Sequence, residues 1–126
     1  MGGRQQVFVY GTLKRGGSNH AFMAGQTFCG EARTVPGYRL IHLGDFPGMV
    51  SAADERAGVS GEVWLVSTDT LARLDELEGI SEGLYRRERV QLEAPFGNQA
   101  VDTYIYAGSI TGRASVSGGK WNIAQA

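Results

Sequence analysis

The chain has 126 residues, enough for one domain around one core, and its 42% hydrophobic and 20% charged residues are ordinary for a globular protein. A net charge of -1 gives no bulk attraction to nucleic acid or to an anionic membrane surface, and no apolar run is long enough to span a bilayer. Nineteen glycines without a repeat period indicate many turns in a strand-rich fold rather than collagen.

The first predicted element is a strand over Gln6–Tyr10. Its apolar residues face both ways, which places it centrally in a sheet or barrel wall. No apolar stretch precedes Val7, and Gln6 stands where a myristoylation signal on Gly2 needs Ser or Thr, so no secretory or lipid signal is expected. The strand runs into Gly11-Thr12-Leu13-Lys14-Arg15-Gly16-Gly17-Ser18. This matches a phosphate-binding P-loop except at position 17, where Gly replaces the lysine that holds the outer phosphates. What remains is a loop of backbone N–H groups with few side chains in the way, suited to an anion or a developing oxyanion.

A short helix is expected over Asn19–Ala24 with Ser18 as N-cap. Candidate strands follow at Thr27–Val35 and Tyr38–Leu43, parted by the turn dipeptide Pro36-Gly37. Cys29 lies in the first of them. Being alone it forms no internal disulfide, fits a reducing compartment, and reads by default as a small buried residue. Phe46-Pro47-Gly48-Met49-Val50 is a turn entering a short strand, Asp54–Gly58 a polar loop, and Val59–Val66 a further strand.

The clearest helix comes next. Ser67, Thr68 and Asp69 supply cap candidates and an acidic first turn, Leu71, Leu74 and Leu77 form one apolar face, and Gly79 stops it. Tyr85–Leu92 and Ala100–Ala107 read as a hairpin, with Val90 and Leu92 facing Val101, Thr103 and Ile105. The charge run Arg86-Arg87-Glu88-Arg89 is expected on its wet face. A Gly/Ser/Thr-rich tail from Gly108 should be anchored by Trp121. The whole is a single α+β domain, with its core over about residues 6–107 and a tail over 108–126. Its sheet is a small, mostly antiparallel barrel or a strongly curved sheet.

One acid stands apart chemically. Glu78 ends the helix, where partial negative charge disfavours a carboxylate, and burial would push its pKa higher still. So placed, it can act as a general base and then a general acid near neutral pH. Spacing alone leaves Glu76 and Glu78 equally readable as solvated surface acids. His20 and His42 are isolated, so no metal site is expected, and no Gly-x-Ser-x-Gly elbow is present.

Val7-Phe8-Val9-Tyr10-Gly11-Thr12-Leu13-Lys14-Arg15-Gly16 with Asn19-His20, then Gly61-Glu62-Val63-Trp64, then Leu74-Asp75-Glu76-Leu77-Glu78-Gly79 with Tyr85 and Arg87, resemble the gamma-glutamyl cyclotransferase-like family. The likeness is greatest to its short gamma-glutamylamine cyclotransferase-type members. It spans about residues 6 to 107. It implies a small closed mixed barrel with flanking helices and a site at its mouth. It also implies a reaction without cofactor or metal. The α-amine of a gamma-glutamyl-amine or gamma-glutamyl amino acid attacks its own γ-carbonyl, giving 5-oxoproline and a free amine. By resemblance Glu78 is the catalytic acid/base, and Tyr10, Gly11, Thr12 and Leu13 bind substrate. Tyr85 is a substrate-positioning hydroxyl or a barrel-rim aromatic. The alternative function is a non-catalytic domain of the same fold that binds a small metabolite. The expected location is cytoplasmic, the partner a small-molecule gamma-glutamyl substrate, and the chain a monomer or a homodimer.

Overall fold

A computed structural model describes residues 3–123. The reading of Gly2 and the last three residues of the tail lie outside that range. Seven strands run in chain order: β1 (Arg4–Val9), β2 (Thr27–Arg33), β3 (Tyr38–His42), β4 (Pro47–Ser51), β5 (Ser60–Ser67), β6 (Tyr85–Val90) and β7 (Val101–Tyr106). The single α-helix among the described residues, α1 (Thr68–Leu77), joins β5 to β6. The strands form one mixed sheet in the order β2-β5-β1-β7-β4-β3, with β6 on the other side of β7. Antiparallel pairing dominates, and β7 runs parallel to both β1 and β4.

β1 is central, as its two-sided apolar pattern predicts. Phe8 packs into one core with Leu40, Met49, Val63, Val101 and Ile105, while Val7 and Val9 pack into a second with Trp64, Val66, Leu74 and Tyr104. Each face of the strand therefore has its own apolar layer. α1 lies over the second layer through fully buried Leu74, with Leu71 and Leu77 partly buried beside it. Ser67 caps the helix, its Oγ accepting from the Thr70 N–H at 3.2 Å. At the other end Gly79 takes φ 66°, and the N–H groups of Gly79 and Ile80 close onto the carbonyls of Glu76 and Asp75. That is a Schellman motif, which needs a residue at ease with positive φ. β6 and β7 form the expected hairpin, Tyr85 opposite Tyr106 and Val90 opposite Val101.

Three expectations change. The sheet does not close into a barrel: at the open side only Thr34 and Leu92 meet, in an isolated bridge between the extensions of β2 and β6. Cys29 is exposed rather than buried, because it falls at the register shift between Phe28 and Gly30, where a bulge residue has no partner across the ladder. Ser18 does not cap a helix. The segment His20–Met23 is a single 3-10 turn preceded by Asn19, which makes no side-chain cap and reaches back to Thr12 instead.

The tail lies along β3: the Val116 N–H donates to the Leu40 carbonyl and the His42 N–H to the Ala114 carbonyl, both at 2.8 Å. Trp121 packs against the first core, and its carbonyl accepts from Lys14 Nζ at 2.7 Å, so the anchor is where the sequence puts it. Among the described residues no helix is long and apolar enough to cross a membrane.

Candidate active site

A cleft of about 180 Å³ opens where β1 gives way to its glycine-rich loop. Residues Tyr10 to Leu13 form one wall, the end of α1 with Leu77 and Glu78 another, and Phe46, Pro47, Leu84 and Tyr85 complete it. The structure thus brings together all six residues singled out from the sequence.

The loop holds its shape through its own backbone. The Lys14 N–H donates to the Gly11 carbonyl at 3.1 Å, Gly17 to Lys14 at 2.8 Å, and Asn19 to Thr12 at 2.9 Å. Asn19 Nδ2 adds a bond to Thr12 Oγ1 at 3.0 Å. A Cβ at residue 17 would run into the Thr12 carbonyl, so the P-loop lysine is replaced by the one residue that fits this curl. The N–H groups of Gly11, Thr12 and Leu13 find no acceptor among the described residues. Three consecutive backbone donors in a cleft-lining loop are the kind of group an anion can use.

Glu78 is half-buried at the C-cap of α1. Among the described residues none donates a hydrogen bond to its carboxylate and no cation pairs with it. Burial alone pushes its pKa from 4.5 to about 7. Among the described residues it is the one charged side chain lining the cleft. The solvated alternative holds for Glu76, which is exposed.

The two tyrosines are committed to the scaffold. Tyr10 Oη donates to the Tyr104 carbonyl at 2.6 Å and accepts from the Met49 N–H at 3.1 Å. It bridges β7 and β4 where those strands pair at only one position, Met49 with Ile105. Tyr10 therefore serves the cleft as a wall, with its hydroxyl fully used. Tyr85 Oη donates to the Pro47 carbonyl at 2.9 Å. That leaves its oxygen only acceptor capacity toward a ligand. Burial pushes both phenols above their ordinary pKa, and the charge of nearby Glu78 adds to the rise.

Gly11 has a packing role beyond its exposed amide. A Cβ there would lie 2.8 Å from two ring carbons of Pro47. Any side chain at Gly11 thus collides with the Pro47 ring, which stands beside it in the cleft lining.

One side-chain network beside the cleft escaped the sequence reading. Arg87 does not lie idle on the wet face of β6. Its Nε donates to Asp75 at 2.9 Å, its other nitrogens reach Asp75 and Asp102, and Tyr104 Oη donates to Asp75 at 2.7 Å. These bonds lash the last turn of α1 to the hairpin three residues before Glu78. The carboxylate–arginine signal was present in the sequence, but only folding reveals that Asp75 and Arg87 meet.

The model of the family described as "Gamma-glutamyl cyclotransferase, AIG2-like" matches residues 7–123. This chain belongs to the gamma-glutamyl cyclotransferase, AIG2-like family. A Vibrio cholerae relative, named provisionally as a gamma-glutamylcyclotransferase, is 40% identical over 115 residues, which is 91% of this chain and 93% of that protein. A Niallia circulans relative named gamma-L-glutamyl-butirosin B gamma-glutamyl cyclotransferase is 35% identical over 106 residues, covering 79% of this chain and 65% of that protein. The solution structure of the Escherichia coli protein ytfP superposes with a TM-score of 0.71 at 31% identity, over 93% of this chain and 96% of that one. The family match takes in the cleft loop, Glu78, Tyr85 and Trp121 in one continuous span.

Proposed function

We propose that this chain is a gamma-glutamyl cyclotransferase that releases 5-oxoproline and an amine from a gamma-glutamyl-amine or gamma-glutamyl amino acid, with Glu78 as its acid/base. One observation carries the reading: an unpaired, half-buried carboxylate with a pKa of about 7 shares a small cleft with three unpaired backbone N–H groups.

The chemistry asks for those two parts. The substrate's α-ammonium must lose a proton before its nitrogen can attack, and a carboxylate titrating near 7 accepts it without being fully protonated at neutral pH. The freed amine adds to the γ-carbonyl carbon of the same molecule, forming the five-membered ring. The carbonyl oxygen becomes anionic, and the N–H groups of Gly11, Thr12 and Leu13 are the donors offered to it. Protonated Glu78 returns its proton to the leaving nitrogen and the C–N bond breaks; Glu78 then takes the second proton from the positively charged ring nitrogen and passes it to the departing amine, which leaves as an ammonium ion. The carboxylate is regenerated, and water takes no part. Nucleophile and electrophile belong to one molecule, so the cleft's task is to hold a bent conformer in which the amine lies near the carbonyl. In this reading Tyr85 Oη, whose proton goes to the Pro47 carbonyl, accepts a hydrogen bond from the ammonium.

A non-catalytic binder of an anionic metabolite would gain nothing from a half-buried, partnerless carboxylate. The test is to incubate the protein with gamma-glutamyl-amines and gamma-glutamyl dipeptides and follow 5-oxoproline by mass spectrometry, with Glu78→Gln in parallel. Product from wild type that vanishes in the variant supports the assignment. Equal turnover by the variant removes Glu78 from the mechanism, and no product from any substrate removes the activity.

A further inference from the structure

A carboxylate stands in β5 on a face that is otherwise apolar. Glu62 is 7% exposed and shares that face with Trp64 and Val66, which pack into the second core. Burying an acid there is costly unless donors meet it. The side chain is not needed to hold its own strand, because β5 is already paired with β1 on one edge and β2 on the other. Glu62 lies opposite Val9, the last residue of β1, and so beside the point where that strand opens into the cleft loop. Gly61 permits the close approach: a Cβ there would collide with the Val9 carbonyl and the Phe8 ring.

The donors that meet Glu62 lead back to the loop. Its Oε1 accepts the Arg15 backbone N–H at 3.1 Å and Trp64 Nε1 at 3.0 Å, and its Oε2 accepts Arg15 Nε at 3.1 Å. The Trp64 ring meets the His20 ring edge-on at 5.3 Å, and His20 Nδ1 donates to the Leu13 carbonyl at 2.9 Å. Two consecutive peptide units are thereby bonded at both ends. In the unit between Leu13 and Lys14, the carbonyl takes His20 and the N–H goes to Gly11. In the unit between Lys14 and Arg15, the carbonyl takes Gly17 and the N–H goes to Glu62. These units directly follow the free N–H groups of Gly11, Thr12 and Leu13. Burial pushes the Glu62 pKa up, but the bonds from Trp64 and Arg15 outweigh it and leave the pKa below its ordinary value, so the acid is ionised at neutral pH and accepts strongly.

Resting on the cyclotransferase reading, we propose that Glu62 is a positioning residue for the reaction: through Arg15, Trp64 and His20 it holds the loop so that the Gly11, Thr12 and Leu13 N–H groups meet the developing oxyanion. Glu62 itself lies outside the cleft lining and touches no substrate. Donors aimed at an oxyanion act in the transition state, so loosening them lowers kcat and leaves KM nearly unchanged.

The test compares Glu62→Leu and Glu62→Gln with wild type at a temperature where urea unfolding shows each fully folded. Kinetics are read on the best substrate of the gamma-glutamyl panel, and nitrogen-15 order parameters on the loop amides. Glu62→Leu should lower kcat by about 10²-fold, the scale of a lost oxyanion donor, with KM within about threefold. Glu62→Gln should lose about tenfold, because its carboxamide oxygen still accepts the Arg15 N–H. In both variants the pH limb of Glu78 should stay near 7. The order parameters of Gly11, Thr12 and Leu13 should fall from about 0.85 toward about 0.6, while Val63 on β5 stays rigid. A purely structural role would leave the kcat of the fully folded variants and the loop order parameters unmoved. If Glu62→Leu does not fold, Glu62→Gln carries the same comparison. Loop order parameters that fall while wild type forms no 5-oxoproline refute the reaction and uphold the hold on the loop. Unchanged kcat, a loss carried wholly by KM, a displaced pH limb, or a loop that stays rigid in the variants overturns the role of Glu62.

Discussion

Replacing Glu78 by glutamine should make this protein more stable at alkaline pH while abolishing its turnover, and the two effects have one origin. The folded-state pKa of Glu78 is raised from 4.5 to about 7 by burial, with no cation or donor to offset it. Between those values the folded chain holds a proton that the unfolded chain releases, so stability falls as pH rises through that window and levels off above about 7. A shift of that size corresponds to about 3 kcal/mol at full effect, and about 2 kcal/mol once the residual water contact of a half-buried group is allowed for. Glutamine keeps the shape and never ionises, so the variant lacks this slope. Urea unfolding at about pH 5 and about pH 8.5 should show the variant gaining on wild type by about 2 kcal/mol between the two. In the same samples 5-oxoproline formation should fall by about 10²-fold or more, the scale of a lost acid/base group. Parallel stability profiles would refute the burial argument for the raised pKa. Turnover near the wild-type level would refute the assignment of the base.

Wild-type kcat/KM should rise with pH along a limb centred near 7, following ionisation of Glu78 in the free enzyme, and a limb centred near 4.5 would show the carboxylate to be solvated. Tyr85→Phe keeps the ring but leaves the buried Pro47 carbonyl without its donor, so denaturant unfolding should report a loss of about 1–2 kcal/mol together with a higher KM. Gly11→Ala puts a Cβ against Pro47 and should lower stability by about 1–3 kcal/mol by overpacking, and an unchanged melting temperature would mean the loop yields freely. Asp75→Ala removes the acceptor shared by Arg87 and Tyr104. It should cost about 1–2 kcal/mol, modest because the Arg87 pair is partly exposed, and lower kcat by loosening the turn that carries Glu78.

What the sequence made readable was local. The four apolar residues before Gly11 mark a strand buried on both sides, because only such a strand needs no polar face. Ser67 and Gly79 bracket α1, because a helix end needs either a side-chain acceptor or a left-handed residue. Glu78 stood out because an acid at that end conflicts with the helix dipole, and such conflicts tend to mark functional positions. What the sequence withheld was every partner distant along the chain. Tyr10 and Tyr85 could be placed near a cleft, but the destinations of their hydroxyls, Tyr104, Met49 and Pro47, depend on how β4 meets β7. No periodicity encodes that parallel contact, since parallel neighbours are joined through long connections rather than tight turns. The closed barrel failed for a related reason. Strand count and alternation predict curvature, but whether the edges of β2 and β6 zip together depends on register at the far side of the sheet, where only Thr34 and Leu92 pair.

The division of labour in the cleft follows from the same facts. The hydroxyl protons of Tyr10 and Tyr85 are spent on backbone carbonyls, so these phenols rigidify the walls and donate nothing to substrate. In the proposed reaction, donation to a developing oxyanion therefore falls to the loop amides, in a curl where Gly17 lies against the Thr12 carbonyl and Gly11 against the Pro47 ring, places where a Cβ would collide. In the proposed reaction proton transfer falls to Glu78, which among the described residues has no donor or cation that would hold it ionised at low pH. An arginine within reach of Glu78 would lower its pKa and weaken it as a base. The nearby Arg87 is instead spent on Asp75 and Asp102, which positions the helix turn while its charge is neutralised by acids other than the one proposed to move the proton.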